Sequence, residues 1–299
     1  MQQPFYPKNE HIKVYINGVI LPREEAKISV FDSVVQGGDA VWEGLRVYPE
    51  GIMHLDTHIK RMVDSAKALA FEAVPTPEEI KRALKQTLKA NGMTTDTHVR
   101  MTLTRGEKYT SSMDPRVQTK GCSLIVLPEW KPIVFDNSIG ITAITSSIRR
   151  NNPQFLDSKI HHNNLLNNIQ AKIQSVVAGV DAALMLDSEG FAAELHDVNI
   201  FIIVDGNLYT PFGDACLPGI TRNTVMTLAE ELQIPCAEKR ISTTEIYTAD
   251  AFFATGTMGE LTPVIQLDGR KIPNAAHHPV FKRLQQSYKS NILRFATPI

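Results

Sequence analysis

The stretch of this sequence best suited to chemistry is Leu217-Pro218-Gly219-Ile220-Thr221-Arg222-Asn223, a glycine-containing turn leading into a helix with apolar residues at Val225, Leu228, Ala229 and Leu232. The leading N–H groups of a helix lack internal partners and sit at the positive end of its dipole, so such a turn makes a cup for a phosphate. Gly219 permits the tight turn, and Thr221 reads as the helix cap. An ordinary capped helix has the same local sequence, so other residues must decide between the two readings. Lys159 is the one lysine or arginine between Asn151 and Ala171. Glu194 interrupts the apolar run Phe191-Ala192-Ala193-Glu194-Leu195, where a carboxylate needs a partner. Alone, a lysine is commonly a surface residue and a single acid in a strand commonly faces solvent. Together with the cup they meet the needs of pyridoxal phosphate. That cofactor requires a lysine to hold its aldehyde as a Schiff base, a group that sets the charge on its pyridine nitrogen, a grip on its phosphate, and a water-poor pocket.

The elements that must position these residues can be taken in order. Val14–Ile16 and Val19–Leu21 flank Asn17-Gly18, a two-residue hairpin turn. Ile28–Phe31 reads as a further short strand, Gln36–Asp39 as a flexible stretch, and Ala40–Tyr48 and Ile52–Leu55 as strands. Helical periodicity places Ile59, Met62, Val63, Ala66 and Leu69 on one face of a helix over 57–69, with Arg61 off that face. Thr76-Pro77-Glu78-Glu79 starts a second helix with a capping box, and Gly92 stops it. Strands 98–104 and 123–127 enclose a polar loop, 105–121, too long for a simple hairpin and therefore a candidate lid or substrate loop. Residues 1–130 read as a small domain, 131–138 as a linker and 139–299 as a larger domain. In the larger domain, an asparagine-rich helix has Leu165, Leu166, Ile169, Ile173 and Val177 as its apolar side. An antiparallel meander then runs from Ala182 to Pro211. Beyond the cup helix come strands near 236–241, 251–254 and 264–267, a short helix near 244–249, and a terminal helix over about 279–295. Strands and helices do not alternate one for one, so the fold class is α+β.

Composition narrows the field. With 299 residues and 43% hydrophobic content the chain can bury two cores, and 31 basic against 32 acidic residues argue against a nucleic-acid binder. No run of about 18 apolar residues suggests a membrane span, and the start lacks a secretion-signal layout, so a cytoplasmic, soluble protein is expected. Cys122, Cys216 and Cys236 form no CxxC pair and read as free thiols, with no metal site expected.

The order Arg61, Lys159, Glu194, the 217–222 turn, Thr255-Gly256-Thr257 and Glu260-Leu261-Thr262-Pro263-Val264 resembles the class IV pyridoxal-phosphate aminotransferases. Trp42-Glu43-Gly44-Leu45-Arg46, followed by His58-Ile59-Lys60-Arg61, is most similar to their branched-chain amino acid branch. The resemblance covers residues 12 to 270. It implies a two-domain fold-type IV enzyme like D-amino acid aminotransferase, with a small α/β domain and a larger β-rich domain. It also implies pyridoxal 5'-phosphate as cofactor, with Lys159 as the Schiff-base and proton-transfer residue and Glu194 on the pyridine nitrogen. Arg61, Gly219, Ile220, Thr221 and Thr257 would hold the phosphate, Leu217 would pack on the ring, and Asn199 would support Glu194. Trp42, Arg46, His98, Arg100, Asn164, Thr257 and Met258 would line the substrate pocket.

The implied activity is transfer of an amino group from a branched-chain or hydrophobic L-amino acid to a keto acid such as 2-oxoglutarate, by a 1,3-proton shift. The implied assembly is a homodimer or higher homo-oligomer in which the 105–121 loop reaches a neighbouring site. Three departures bear on the substrate. Asn164 stands where the branched-chain pattern has tyrosine five residues past the lysine, and Gly37 and His98 stand at two other tyrosine positions. A D-amino acid or (R)-amine transaminase, and an aminodeoxychorismate lyase releasing pyruvate, therefore remain as alternatives. Arg46 and Arg100 read either as a carboxylate grip or as structural ion-pair residues.

Overall fold

The computed structural model describes residues 5–272 and 275–299. Its described residues fall into two compact units: 5–132 with Ile160–Asn164 and Ile292–Ile299, and Ile133–Lys159 with Leu165–Asn291. The first four residues, where the leader question arises, lie outside the description.

In the first unit, β1 (Lys13–Ile16) and β2 (Val19–Pro22) pair across Asn17-Gly18, as the turn chemistry requires. The short α1 (Ser33–Gly37) is capped by Asp32 and closed by Gly38, whose φ of 67° lies in the left-handed region. Thus 36–39 is an ordered helix end instead of a flexible stretch, and 28–31 forms no strand. β3 (Ala40–Tyr48), β4 (Gly51–Met53), α2 (Leu55–Ala68), α3 (Pro77–Asn91), β5 (Thr97–Thr104) and β6 (Ser123–Trp130) follow. The described residues give a seven-stranded antiparallel sheet in the order Ala296–Thr297, β4, β3, β5, β6, β1, β2. Both halves of the Thr76 capping box form, and Gly92 closes α3. Ile59, Met62 and Ala66 of α2, and Ile80, Leu84 and Leu88 of α3, bury against Val41, Leu45, Val99 and Met101. That packing leaves the other face of β3 and β5 to Trp42, Gly44, Arg46, His98 and Arg100, because side chains alternate along a strand.

In the second unit, β7 (Ile141–Thr145), α4 (Leu166–Val177), β8 (Ala182–Leu186), β9 (Ala192–Leu195), β10 (Asn199–Val204) and β11 (Asn207–Thr210) precede α5 (Ile220–Glu231). Then come β12 (Cys236–Glu238), α6 (Thr243–Thr248), β13 (Ala251–Gly256), β14 (Glu260–Leu267), β15 (Arg270–Lys271) and α7 (Pro279–Ser290). The sheet order is β12, β11, β10, β13, β14, β7, β8, β9, with β15 on β14. The expected meander is therefore interrupted: β9 pairs only β8, whereas β10 pairs β11 and β13, and β7 runs parallel to both β14 and β8. The expected terminal helix is broken at Asn291: α7 ends at Ser290 and a four-residue helix, Ile292–Phe295, follows.

Helix α4 forms at the expected place with the opposite burial. Leu166, Ile169, Ile173, Val176 and Val177 are exposed, while Ala171 and Ser175 face inward. Periodicity identifies an amphipathic helix, but the small side of this one lies on the sheet and its large apolar side is uncovered in the single chain. No helix among the described residues is long and apolar enough to cross a membrane. The three cysteines are free.

Candidate active site

In the second unit the site is organised by Glu194. The side chain lies on β9, 4% exposed, and its charge is met by Arg150, whose Nε donates to Oε1. Burial pushes the Glu194 pKa up, and Arg150 pulls against that shift. Asn199 Nδ2 donates to Glu194 Oε2 at 3.1 Å and to the Leu217 carbonyl at 2.9 Å, so one amide joins the acid to the start of the cup. Gly219 has φ of −66°, which any residue adopts; the position needs glycine because a Cβ there would lie 1.9 Å from Asn199 Oδ1.

Gly219 is itself the N-cap of α5, which has no side-chain cap. This corrects the reading of Thr221 as the cap: Ile220 and Thr221 are the first two helical residues, both buried. The helix thus opens with backbone N–H groups that no capping side chain occupies, the arrangement that suits an anion. Thr257 and Met258 follow the end of β13, where Thr255 pairs in register with Asn199. The Thr255 hydroxyl is buried without a hydrogen-bond partner.

Lys159 sits in the loop between β7 and α4. Its Nζ lies 3.5 Å from Asp157 Oδ1 and its side chain is 44% exposed, so within this chain the amine is not in the water-poor setting expected from the sequence. Its neighbour Ser158 is buried and donates to the Asn151 carbonyl at 2.9 Å, which ties the loop to the residue after Arg150. Arg150 escaped the sequence analysis. The one signal was that a carboxylate in an apolar strand requires a partner, and the partner lies 44 residues away in sequence.

In the first unit, Arg61 of α2 is gripped by Glu43 of β3: Nε donates to Oε1 at 2.6 Å and Nη2 to Oε2 at 2.8 Å. Glu43, also missed from sequence, is fully buried. Burial alone would raise its pKa, but His161 and Arg61 beside it hold the carboxyl well below the usual carboxylate range.

On the opposite face of the sheet, Arg100 lies 3.9 Å from the centroid of the Trp42 ring and donates to Asn163 Oδ1 at 3.2 Å. Arg46 is 5% exposed, approaches Asp96 only to 3.8 Å, and leaves Nε and Nη1 buried without hydrogen-bond partners. That is too little for the structural ion pair considered above, since buried guanidinium donors are expensive to leave unmet. His98, opposite Arg46 in register, is pushed down to about 3 by burial and by Lys131, Arg100 and Arg46, so it is neutral at physiological pH. Gly44 keeps the space between these groups open, since a Cβ there would meet His98 Nε2 at 3.3 Å and the Trp42 ring at 3.4 Å. Asn164 donates instead to the Gly38 carbonyl at 3.0 Å.

Comparison with known proteins gives the family. Residues 40–267 match the family model for amino-transferase class IV. The chain is 55% identical over 283 residues to branched-chain-amino-acid aminotransferase-like protein 2 of Arabidopsis thaliana, covering 95% of this chain and 51% of that protein. It therefore spans about half the length of that relative. It is 38% identical to a putative branched-chain-amino-acid aminotransferase of Methanocaldococcus jannaschii, covering 93% of this chain and 96% of the other. Among solved structures, a T.th. branched-chain amino acid aminotransferase complexed with N-(5'-phosphopyridoxyl)-L-glutamate superposes with a TM-score of 0.88 at 32% identity, over 95% of each chain.

Proposed function

The chain belongs to the class IV aminotransferases, and on that premise we propose that it is a pyridoxal-phosphate-dependent transaminase moving the amino group of a branched-chain or other hydrophobic L-amino acid to a keto acid such as 2-oxoglutarate. The observation that carries the reading is the Glu194–Asn199–Leu217 connection, a buried acid joined through one amide to the uncapped start of α5. Pyridoxal phosphate fits this set of groups. Glu194 suits the protonated pyridine nitrogen, the N–H groups of Ile220 and Thr221 with Thr257 suit the phosphate, and the Lys159 amine suits the aldehyde, while the resemblance to the family makes Arg61 a further phosphate residue. Bound there, the cofactor supplies an electron sink for the pair left when the substrate's α-proton departs. Lys159 Nζ takes that proton and returns it, which requires the amine to be neutral at that moment. Because Lys159 is exposed in the isolated chain, exclusion of water falls to what binds beside it.

The substrate class is supported by the names of the relatives and by the glutamate moiety in the complexed structure. In this chain, the unmet donors of Arg46 suit a carboxylate and Trp42 offers an apolar wall. A donor panel checks the reading: L-leucine, L-valine, D-alanine and both enantiomers of 1-phenylethylamine, each with 2-oxoglutarate or pyruvate. Glutamate formed from L-leucine is the expected result. Turnover of only D- or (R)-donors, or pyruvate released from aminodeoxychorismate without an acceptor, would replace the assignment by one of the alternatives.

We further propose that two copies pair through α4. The support is its uncovered stripe of Leu166, Ile169, Ile173 and Val177 on a helix with a single charge, Lys172, which bonds to the Asp181 carbonyl. Two such faces pack without like-charge repulsion, and burying large apolar side chains is worth about 1.5–3 kcal/mol each. Light scattering should give twice the chain mass for the parent protein and a monomer for Ile169→Glu/Ile173→Glu. A double variant that stays dimeric rules out this face.

A further inference from the structure

We propose that Glu43 is a positioning residue for Arg61, fixing the plane of its guanidinium for the cofactor phosphate. The inference rests on the reading of Arg61 as a phosphate residue and adds to it a group that touches no ligand.

All of the hydrogen-bonding capacity of the Glu43 carboxylate is committed. Oε1 takes Arg61 Nε at 2.6 Å and His161 Nδ1 at 3.1 Å, and Oε2 takes Arg61 Nη2 at 2.8 Å and His58 Nδ1 at 2.7 Å. An ionised carboxylate only accepts, so both imidazoles carry a hydrogen on Nδ1, which settles their orientation. The two bonds to Arg61 are side-on, the geometry that fixes the plane of a guanidinium as well as its position.

Glu43 is in turn unable to swing. His58 lies on α2 with Arg61, and His161 is held by its own N–H to Ser65 Oγ at 3.1 Å and by its ring against Trp42, with centroids 4.2 Å apart. Next to it the chain runs along β3: Trp42 N–H donates to the His161 carbonyl at 2.9 Å and Asn163 N–H to the Ala40 carbonyl at 2.9 Å. A fully buried carboxylate is costly, and exchanging a whole buried ion pair for well-packed apolar residues is often neutral in stability, whereas removing the acid alone strands its partners. What no apolar residue can do is aim a guanidinium.

Replacing Glu43 by glutamine has two opposed effects on an anion at Arg61. Loss of the negative charge strengthens the attraction, whereas loss of the side-on grip frees the guanidinium to turn. If aim dominates, Glu43→Gln weakens the phosphorylated ligand; if charge dominates, it tightens it.

The test is equilibrium binding of pyridoxal 5'-phosphate and of pyridoxal, read from the visible absorbance of the lysine-bound aldehyde. The ratio of the pyridoxal dissociation constant to that of pyridoxal 5'-phosphate isolates the phosphate contribution. Glu43→Gln should reduce that ratio about tenfold, the loss of one charge-assisted hydrogen bond, and should change it no further in an Arg61→Ala background. An unchanged or increased ratio, or equal weakening of both ligands as a merely structural role gives, overturns the proposal. If Glu43→Gln does not fold, Glu43→Asp carries the same test, because it keeps the charge but withdraws the carboxylate from Arg61. A parent protein that binds both ligands equally, or neither, refutes the phosphate reading of Arg61 and this inference with it. A parent that prefers the phosphorylated form beside an unaffected Glu43→Gln refutes the positioning role alone.

Discussion

Lys159→Ala should lower transaminase turnover by about four orders of magnitude and leave the melting temperature of the protein nearly unchanged. The side chain is 44% exposed and its one side-chain hydrogen bond is to Asp157 at 3.5 Å, so truncation removes little packing and changes stability by about 0.5 kcal/mol or less. The chemistry is affected differently. A positioned acid–base group contributes about 10²–10⁴ in rate, and in the proposed mechanism the same amine would also hold the cofactor covalently, so its loss should fall at the top of that range. The measurement is glutamate formation from L-leucine and 2-oxoglutarate alongside a thermal melt. Partial recovery of turnover on adding a small primary amine would place the defect in proton transfer. Turnover within tenfold of the parent would remove Lys159 from the mechanism.

The second large effect is expected at the Arg150–Glu194 pair. Both side chains are nearly inaccessible, at 6% and 5%, and Arg150 already leaves Nη1 buried without a hydrogen-bond partner. Glu194→Ala should therefore cost about 3–5 kcal/mol of stability, because it strands a buried guanidinium. Arg150→Met combined with Glu194→Leu should recover most of that loss, since an apolar pair of similar volume avoids the desolvation penalty. Catalysis should not recover with it, because the acid proposed to meet the pyridine nitrogen is gone and Asn199 loses its bond to Glu194. Urea unfolding of the cofactor-free protein separates the two effects from turnover of the loaded enzyme. A Glu194→Ala protein as stable as the parent contradicts the ion-pair argument, and a fully active double variant contradicts the catalytic one.

Several parts of this molecule are legible wherever a few neighbouring residues set the geometry. Asn17-Gly18 specifies a hairpin turn and Thr76 with Glu79 specifies a helix start, and both form as expected. The family is legible in the resemblance carried by its ordered motifs and the α+β class in strands and helices that do not alternate, and the family model and structural neighbours agree. Residues with longer-range roles are harder to read. Gly219 stands out in the sequence for its freedom to turn, yet its backbone is ordinary and the requirement comes from Asn199, twenty residues earlier in the chain. Periodicity places helix α4 correctly but gives it the wrong buried face, because a hydrophobic stripe says that something must cover it without saying what.

Turns and helix starts with strong local signals, and the chemical inventory, can thus be read along the chain, since backbone hydrogen bonds and caps span only a few residues; weaker local signals, as at 28–31 and 36–39, mislead. Only the tertiary structure decided the partnerships. Glu43 meets His161 across 118 positions and Arg150 meets Glu194 across 44. Such pairs depend on where strands return in a sheet, and β10 beside β13 shows that the return need not follow chain order. Burial then makes those distant pairings obligatory, because a charge removed from water must find its complement wherever the fold brings it.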